Sequence, residues 1–289
     1  MVKGIRYFAV AVVAAACFTS GLLAQESKEA PKPAAAGQEQ PKPEEDKVTG
    51  TGSIGAFSQY IFRGYEYSKS SMVIQPSLSA SYKGFTASFW GNIDTDEHAT
   101  QNFVPDRPGR KSFNETDLTL SYTYALDKWN FTGGYIYYDT KYAPETEEFF
   151  LTVAYDIIGK PTFTVFRDFT AYPGWYFNFS LSHSFAIYKD ITLDLGASAG
   201  YELGTGGYWD TYQASTGSYA GSKYSGFHDG MVKVGFTIPV TKKFTIQPVG
   251  QYWFPLSSEA KRKTDGNSYN PSGYLRNRLV GGVSFSYNF

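Results

Sequence analysis

The chain has 289 residues, with 26 Lys and Arg against 27 Asp and Glu, and a single cysteine. A formal net charge of −1 excludes the concentrated basic surface that a nucleic-acid partner requires. Beyond the N-terminal region no apolar run approaches the ~18 residues of a spanning helix, so if this chain crosses a membrane it must do so as strands.

Residues 1–24 read as an export signal. Lys3 and Arg6 supply a positive start, Tyr7 to Phe18 a short apolar core, and Leu22-Leu23-Ala24 a small residue for cleavage before Gln25. The only cysteine, Cys17, lies inside this signal, so the mature chain is expected to hold no thiol. Ala14, Ala15 and Ala16 precede Cys17 as small residues, but the leucine usual three positions before a lipidated cysteine is missing. Residues 25–50 are rich in Pro, Glu, Gln, Lys and Ala, with no aromatic residue. Such a segment cannot bury enough apolar surface to offset its chain entropy and is expected to be a disordered periplasmic linker.

From residue 51 to 289 the dominant period is two, that of a strand. In the stretch 115–124, Thr116, Leu118, Leu120, Tyr122 and Tyr124 share one face, and Glu115, Asp117, Thr119, Ser121 and Thr123 the other. Trp175, Phe177, Phe179 and Leu181 oppose Tyr176, Asn178, Ser180 and Ser182 in the same way. So do Leu193, Leu195 and Ala197 against Asp194, Gly196 and Ser198.

Carried along the chain, the alternation predicts 12 strands, at 52–63, 72–83, 85–94, 114–125, 129–139, 147–157, 161–170, 175–187, 191–203, 230–240, 243–254 and 274–289. Most reach the ~9–11 residues that a tilted membrane strand needs, beyond the ~5–6 usual in soluble sheets. Short links at Lys83-Gly84, Leu126 to Lys128, Ile158 to Lys160, Tyr188 to Asp190 and Thr241-Lys242 interleave with links that are longer, apart from Ala171 to Gly174. Tight turns alternating with outer loops are the plan of an outer-membrane up-and-down antiparallel β-barrel.

A soluble sandwich also alternates. The export signal, the 18% aromatic content and a partner face rich in Ser, Thr and Gly favour a transmembrane barrel with apolar residues toward lipid. Tyr60, Tyr82, Tyr122, Tyr124, Trp175, Tyr201 and Tyr287 are candidates for the aromatic girdles. The last strand carries Val283, Phe285, Tyr287 and Phe289 on one face, a pattern that resembles the signal read by the outer-membrane assembly machinery.

Residues 57–94 carry a family resemblance. Phe57-Ser58-Gln59-Tyr60-Ile61-Phe62-Arg63-Gly64 is followed by Ser68, Ser70, Gln75-Pro76, Gly84-Phe85, Trp90-Gly91-Asn92 and Asp94. This resembles the opening of the TorF-type porin family, with Gly91-Asn92 standing where a serine-asparagine is usual. The resemblance implies an outer-membrane barrel of porin architecture and no defined substrate.

Expected lumen-facing charges are Arg63 at the outer end of the first strand, Arg276 and Arg278 on the last, and Lys233 near them. Asp94, Glu115, Asp117, Glu148, Asp168, Asp194 and Glu202 occupy other strands. One reading is a transverse field across a pore, basic on one wall and acidic on the other, for diffusion of small hydrophilic solutes. The other is that the charges pair across the lumen and brace or plug it, leaving a structural or adhesion barrel. The Ser/Tyr/Gly-rich loop 204–229 and the basic run 259–263 are candidates to fold inward, and the latter equally to contact lipopolysaccharide phosphates beside the outer-membrane lipid.

Catalysis has few candidates. His98 and His228 fall in or beside long loops, where a solvated histidine is expected, and His183 and Ser184 point to opposite faces of one strand. Asp94, Asp96, Glu97 and His98 form an acidic run that could hold a hard cation, though such a run is more often solvated. No cofactor is expected, no residue is assigned to catalysis, and the oligomeric state is not legible.

Overall fold

The computed structural model describes residues 47–100, 104–213, 216–264 and 276–289. The expected export signal lies outside these residues, as does all but the end of the expected linker. The elements in chain order are β1 (Thr49–Phe57), β2 (Ile61–Phe62), β3 (Tyr65–Glu66), β4 (Val73–Tyr82), β5 (Phe85–Asp94), β6 (Ser112–Leu126), β7 (Trp129–Thr140) and β8 (Thr146–Tyr155). They continue with β9 (Thr162–Asp168), β10 (Gly174–Tyr188), β11 (Ile191–Gly204), a 3₁₀ turn (Gly207–Trp209), β12 (Asp210–Tyr212), β13 (Tyr219–Lys223) and β14 (Ser225–Pro239). β15 (Phe244–Pro255), α1 (Ser258–Thr264) and β16 (Arg278–Asn288) complete the chain.

Twelve of these strands form one closed antiparallel barrel in the order β1-β16-β15-β14-β11-β10-β9-β8-β7-β6-β5-β4. β1 closes it by pairing with β16 on one side (Ile54 opposite Phe285) and β4 on the other (Ile54 opposite Pro76). The meander expected from alternation is therefore the observed topology, with two excursions. The short pairs β2-β3 and β12-β13 are separate ribbons between consecutive barrel strands.

Side-chain alternation sorts the two faces. Leu118, Leu120, Tyr122 and Tyr124 of β6 are exposed on the outside, as are Leu78, Phe85, Phe149, Leu151, Phe179, Phe236 and Leu279. Their inward neighbours Asp117, Asn178, Ser180 and Ser198 are buried. A closed sheet leaves no edge of unpaired backbone groups, so an apolar outside and polar inside suit hydrocarbon around the barrel. The girdle candidates Tyr82, Tyr122, Tyr124, Trp175 and Tyr287 are exposed on this outer face, and Tyr201 is half-buried. Tyr60 is the exception: it is only 5% exposed and lies inside the barrel.

The tight turns gather at one end. Lys83 (φ 48°) and Gly84 (φ 83°) both take the left-handed conformation of a two-residue type I′ hairpin, whose twist matches that of the strands it joins. Asp127, Lys160 and Lys189 also have positive φ in three of the other short links. The start of β1 and the end of β16 meet at this end, where Phe289 and Gly50 exchange backbone hydrogen bonds of 2.9 and 3.0 Å.

The first strand corrects the expectation most. Alternation continued through Arg63, but β1 ends at Phe57. Ser58 N still donates a hydrogen bond to the Gly281 carbonyl (2.8 Å), and then the chain turns into the lumen. A hairpin tip at Arg63 (φ 47°) and Gly64 (φ 79°), with Phe62 opposite Tyr65, reverses it. An apolar pair followed by a residue and glycine is a hairpin signal that strand periodicity had masked.

Candidate functional site

The lumen is built around this hairpin. Its neck is fastened by hydrogen bonds from Tyr67 N to the Tyr60 carbonyl (2.9 Å), from Tyr60 N to Ser68 Oγ (2.8 Å) and from Gln59 Nε2 to the Ser68 carbonyl (2.9 Å). Ser71 Oγ donates to Asp94 Oδ1 on the barrel wall (2.6 Å). Three patches of wall receive its apolar side chains. Tyr60 packs with Val73 and Trp90, Ile61 with Met231, Trp253 and Val280, and Phe62 against Tyr138, Phe166 and Tyr176. The ribbon thus touches strands from opposite arcs of the barrel and crosses the channel axis.

Arg63 at its tip is held by the wall. Nη1 and Nη2 donate to Glu148 Oε1 (2.6 Å) and Oε2 (2.7 Å), a two-point fork onto β8. The guanidinium carbon also lies 4.3 Å from the centre of the Phe166 ring, 4.5 Å from Tyr176 and 4.8 Å from Phe62. The Arg63 and Glu148 side chains are only 11% and 5% exposed. Burial opposes the charge on Arg63, yet Glu148 and the Tyr138 phenol hold its pKa above the ordinary arginine value.

The sequence placed Arg63 beside Arg276 and Arg278 on a basic wall. That grouping is corrected. Arg63 projects from the hairpin into the carboxylates of the far wall, while Arg278 Nε lies 3.4 Å from Glu66 Oε1 at the base of the same hairpin, and Arg276 is exposed. Lys233 lies lower in the barrel, where it and Asp194 line a common cavity. Asp194 accepts hydrogen bonds there from Thr192 (2.8 Å) and Thr237 (2.7 Å). The positive charges are distributed along the hairpin and the walls, because the loop carrying the first of them turns inward.

The remaining acids face inward in the upper half. Glu115 accepts from Tyr60 Oη at 3.4 Å, and Glu148 also accepts from Tyr138 Oη at 2.9 Å. Asp168 receives Thr146 Oγ1 (2.6 Å) and the backbone N–H groups of Thr170 and Tyr172 (3.0 and 3.1 Å), which shape the short 169–173 link. Glu202 on β11 and Asp94 on β5 are buried as well. Asp117, 2% exposed, accepts no hydrogen bond at either oxygen among the described residues.

A β-bulge adds groups that the sequence left out. Between the pairs Ala199–Gly230 and Tyr201–Phe227 the register of β11 and β14 shifts, so both His228 and Asp229 are buried opposite Gly200. Asp229 accepts from Tyr176 Oη at 2.9 Å, and any Cβ at Gly200 would collide with both of them. His228, expected as a solvated loop residue, is 1% exposed: its Nδ1 meets Tyr224 Oη at 2.7 Å and its ring lies 4.8 Å from Tyr65. Alternation has no means of announcing a bulge, because the extra residue shifts the face of everything after it.

The outer loops use their charges to brace one another. The run 94–98 does not gather around one point. Asp96 Oδ1 accepts from Gly109 N (2.6 Å), and buried Glu97 meets Arg107 (2.6 Å) and Tyr142 Oη (2.5 Å). His98 pairs with Asp106 (3.2 Å) and Asp96 (3.4 Å), and the hydrogen bond to Asp106 raises the His98 pKa. The loops after β11 and β15 also meet. Trp209, Tyr224 and Ala260 of α1 form one apolar cluster with Tyr172 and Tyr208 packed on it, and Trp209 Nε1 donates to the Tyr172 carbonyl at 3.2 Å.

Among the described residues a cavity lies on each side of the hairpin. The lower, about 260 Å³, runs from Gln59, Tyr60 and Ile61 along a wall of Thr51, Ser53, Gln75, Ser77, Gln247, Gln251 and Ser284. The upper, about 90 Å³, lies between Phe62, Arg63, Tyr65 and Tyr67 on the hairpin and Tyr208 and Trp209 beneath the outer loops. Space above and below a barrier is the geometry of a constricted conduit.

No protein-family model and no curated protein matches the chain. Among solved structures the chain is similar to the KdgM porin, with 13% identity, 83% of this chain and 99% of that chain covered, and a TM-score of 0.48. The NanC porin gives 11% identity, the same coverages and a TM-score of 0.48. An outer membrane channel from Pseudomonas putida F1 gives 9% identity over 86% of this chain and 100% of that chain, with a TM-score of 0.46.

Proposed function

We propose that this chain is an outer-membrane channel of the TorF type for small hydrophilic solutes, held in a constricted state by the hairpin 58–71. The observation that carries this reading is a cavity on each side of the hairpin, lined by polar and aromatic side chains, inside a closed barrel whose outer face is apolar. The barrier is a short ribbon joined to β1 and β4 at its two ends, so it can move without unpairing the barrel. In this reading residues 1–24 direct export, the linker expected at 25–50 ends where β1 takes Thr49 and Gly50 into the barrel, and Val283, Phe285, Tyr287 and Phe289 present the last strand to the assembly machinery.

A plugged barrel serving adhesion or envelope organisation is the second reading. It draws on the same hairpin, whose packing on Met231, Trp253, Phe166 and Trp90 fills the middle of the lumen. Planar bilayers separate the two. The mature chain is expected to give discrete current steps with long closures, and liposomes containing it to swell with small sugars and amino acids but not with large oligosaccharides. A barrel that is silent at every voltage, in liposomes that do not swell, would establish the scaffold.

A further inference from the structure

We propose that the lower cavity is a binding site for a small neutral sugar, the class of solute that this channel selects. The cavity measures about 260 Å³, near the lower end of small-ligand pockets. Among the described residues its charged lining side chains are Asp194 and Lys233, of opposite sign, so the wall offers an ion no net counter-charge. A charge leaving water without one is penalised, whereas a neutral polyol needs only hydrogen bonds.

The wall supplies those bonds in two ordered rows. Strand register aligns Gln75 of β4, Gly55 of β1, Ser284 of β16 and Gln247 of β15 across four neighbouring strands. Two residues nearer the tight turns, Ser77, Ser53 and Ser286 form the next row. Inward side chains on adjacent strands stand ~4.8 Å apart, a spacing comparable to the width of a pyranose ring.

These amides are held at one end. Gln75 Nε2 donates to Asn92 Oδ1 (3.1 Å), Gln247 Nε2 to Thr237 Oγ1 (3.3 Å), and Gln251 Oε1 accepts from Trp253 Nε1 (2.9 Å). Among the described residues the other end of each amide, and the Ser284 and Ser286 hydroxyls, take no protein hydrogen bond. Oriented donors and acceptors of both kinds therefore line the cavity, and a sugar hydroxyl, which both donates and accepts, suits either.

An apolar surface lies beside them. The Phe57 ring rests on the barrel wall over Gly55 and Gly282, where a Cβ at either glycine would collide with it. Trp90, Trp253 and Tyr60 complete the side of the cavity toward the hairpin. Water can satisfy the amides and hydroxyls, but only a solute with a C–H face also covers the Phe57 ring. A pyranose carries such a face and a rim of hydroxyls, and it fits both features at once.

The inference rests on the channel reading only in calling the bound sugar a solute; binding itself is independent of conduction. The test is saturation-transfer NMR on the full mature chain, in a detergent without a sugar headgroup, at constant ionic strength. Methyl glucoside, glucuronate and alanine serve as separate probes. Methyl glucoside is expected to bind saturably, and the other two at least about tenfold more weakly. Glucuronate reports whether Lys233 dominates the site, and alanine whether Lys233 and Asp194 together take a zwitterion. Either of them binding as well as the glucoside overturns the proposal. Ser284→Ala and, separately, Gln247→Leu are expected to weaken the glucoside about fivefold, the loss of one hydrogen bond. Both residues lie outside the hairpin, and the Ser284 hydroxyl has no partner to lose among the described residues, so the barrel is kept. Undiminished binding in both variants is equally fatal to the site. Glucoside binding by a barrel that passes no current would refute the channel and leave the site standing. A conducting barrel that shows no saturable binding would do the reverse.

Discussion

Arg63→Ala is expected to turn brief openings into sustained ones. The guanidinium is the hairpin's polar link to the far wall, with two bonds of 2.6 and 2.7 Å to Glu148. Its removal strands Glu148, 5% exposed, beside Glu115 and Asp117. Breaking a buried ion pair from one side costs about 3–5 kcal/mol, and the stacking on Phe166 and Tyr176 is lost with it. That cost falls on the docked hairpin, because an undocked hairpin admits water to Glu148. The docked-to-undocked ratio should therefore fall by ~10²–10⁴, read as the fraction of time open in planar bilayers. Replacing both partners, Arg63→Met with Glu148→Met, removes the stranded charge and should return most of the closed time. If Arg63→Ala gated like the unaltered protein, the hairpin would not be the barrier.

Leu120→Arg should be among the most damaging single changes to the barrel itself. Leu120 is 62% exposed near the middle of β6, on the face assigned to hydrocarbon. An arginine at the bilayer midplane of a barrel costs about 2–4 kcal/mol. Thr119, one residue away, faces the lumen, and Thr119→Arg should cost less than about 1 kcal/mol because its charge can reach water. Denaturant titration of the barrel refolded into vesicles gives both values. Equal costs, or the reverse order, would remove the sidedness on which the membrane assignment stands.

Both variants draw on what was legible at different levels. Leu120 and Thr119 were sorted by period alone, since a strand turns successive side chains to opposite faces whatever its neighbours do. The same rule delimited the strands from 72–83 to 243–254 to within a few residues at most ends. Tight turns were visible as well, because only a few residue types accept the conformations they need, as at Lys83-Gly84.

Arg63 was legible as a residue but not as a contact. The strand expected at 52–63 ran through it; Phe62-Arg63-Gly64 signals a turn, but nothing local says that pairing ends at Ser58 or that the turn points into the lumen. His228 and Asp229 were hidden for a related reason. Their bulge is fixed by what β11 offers opposite, where Gly200 leaves room for Tyr176 and Asp229.

The sequence by itself determined the barrel: strand number, order, and which face is apolar are local properties of period and turn chemistry, repeated until the sheet meets its own first strand. Only the tertiary structure decided what fills it. Arg63 and Glu148 are 85 residues apart and meet because closing the sheet brings every inward row to a shared axis, a distance no local pattern encodes.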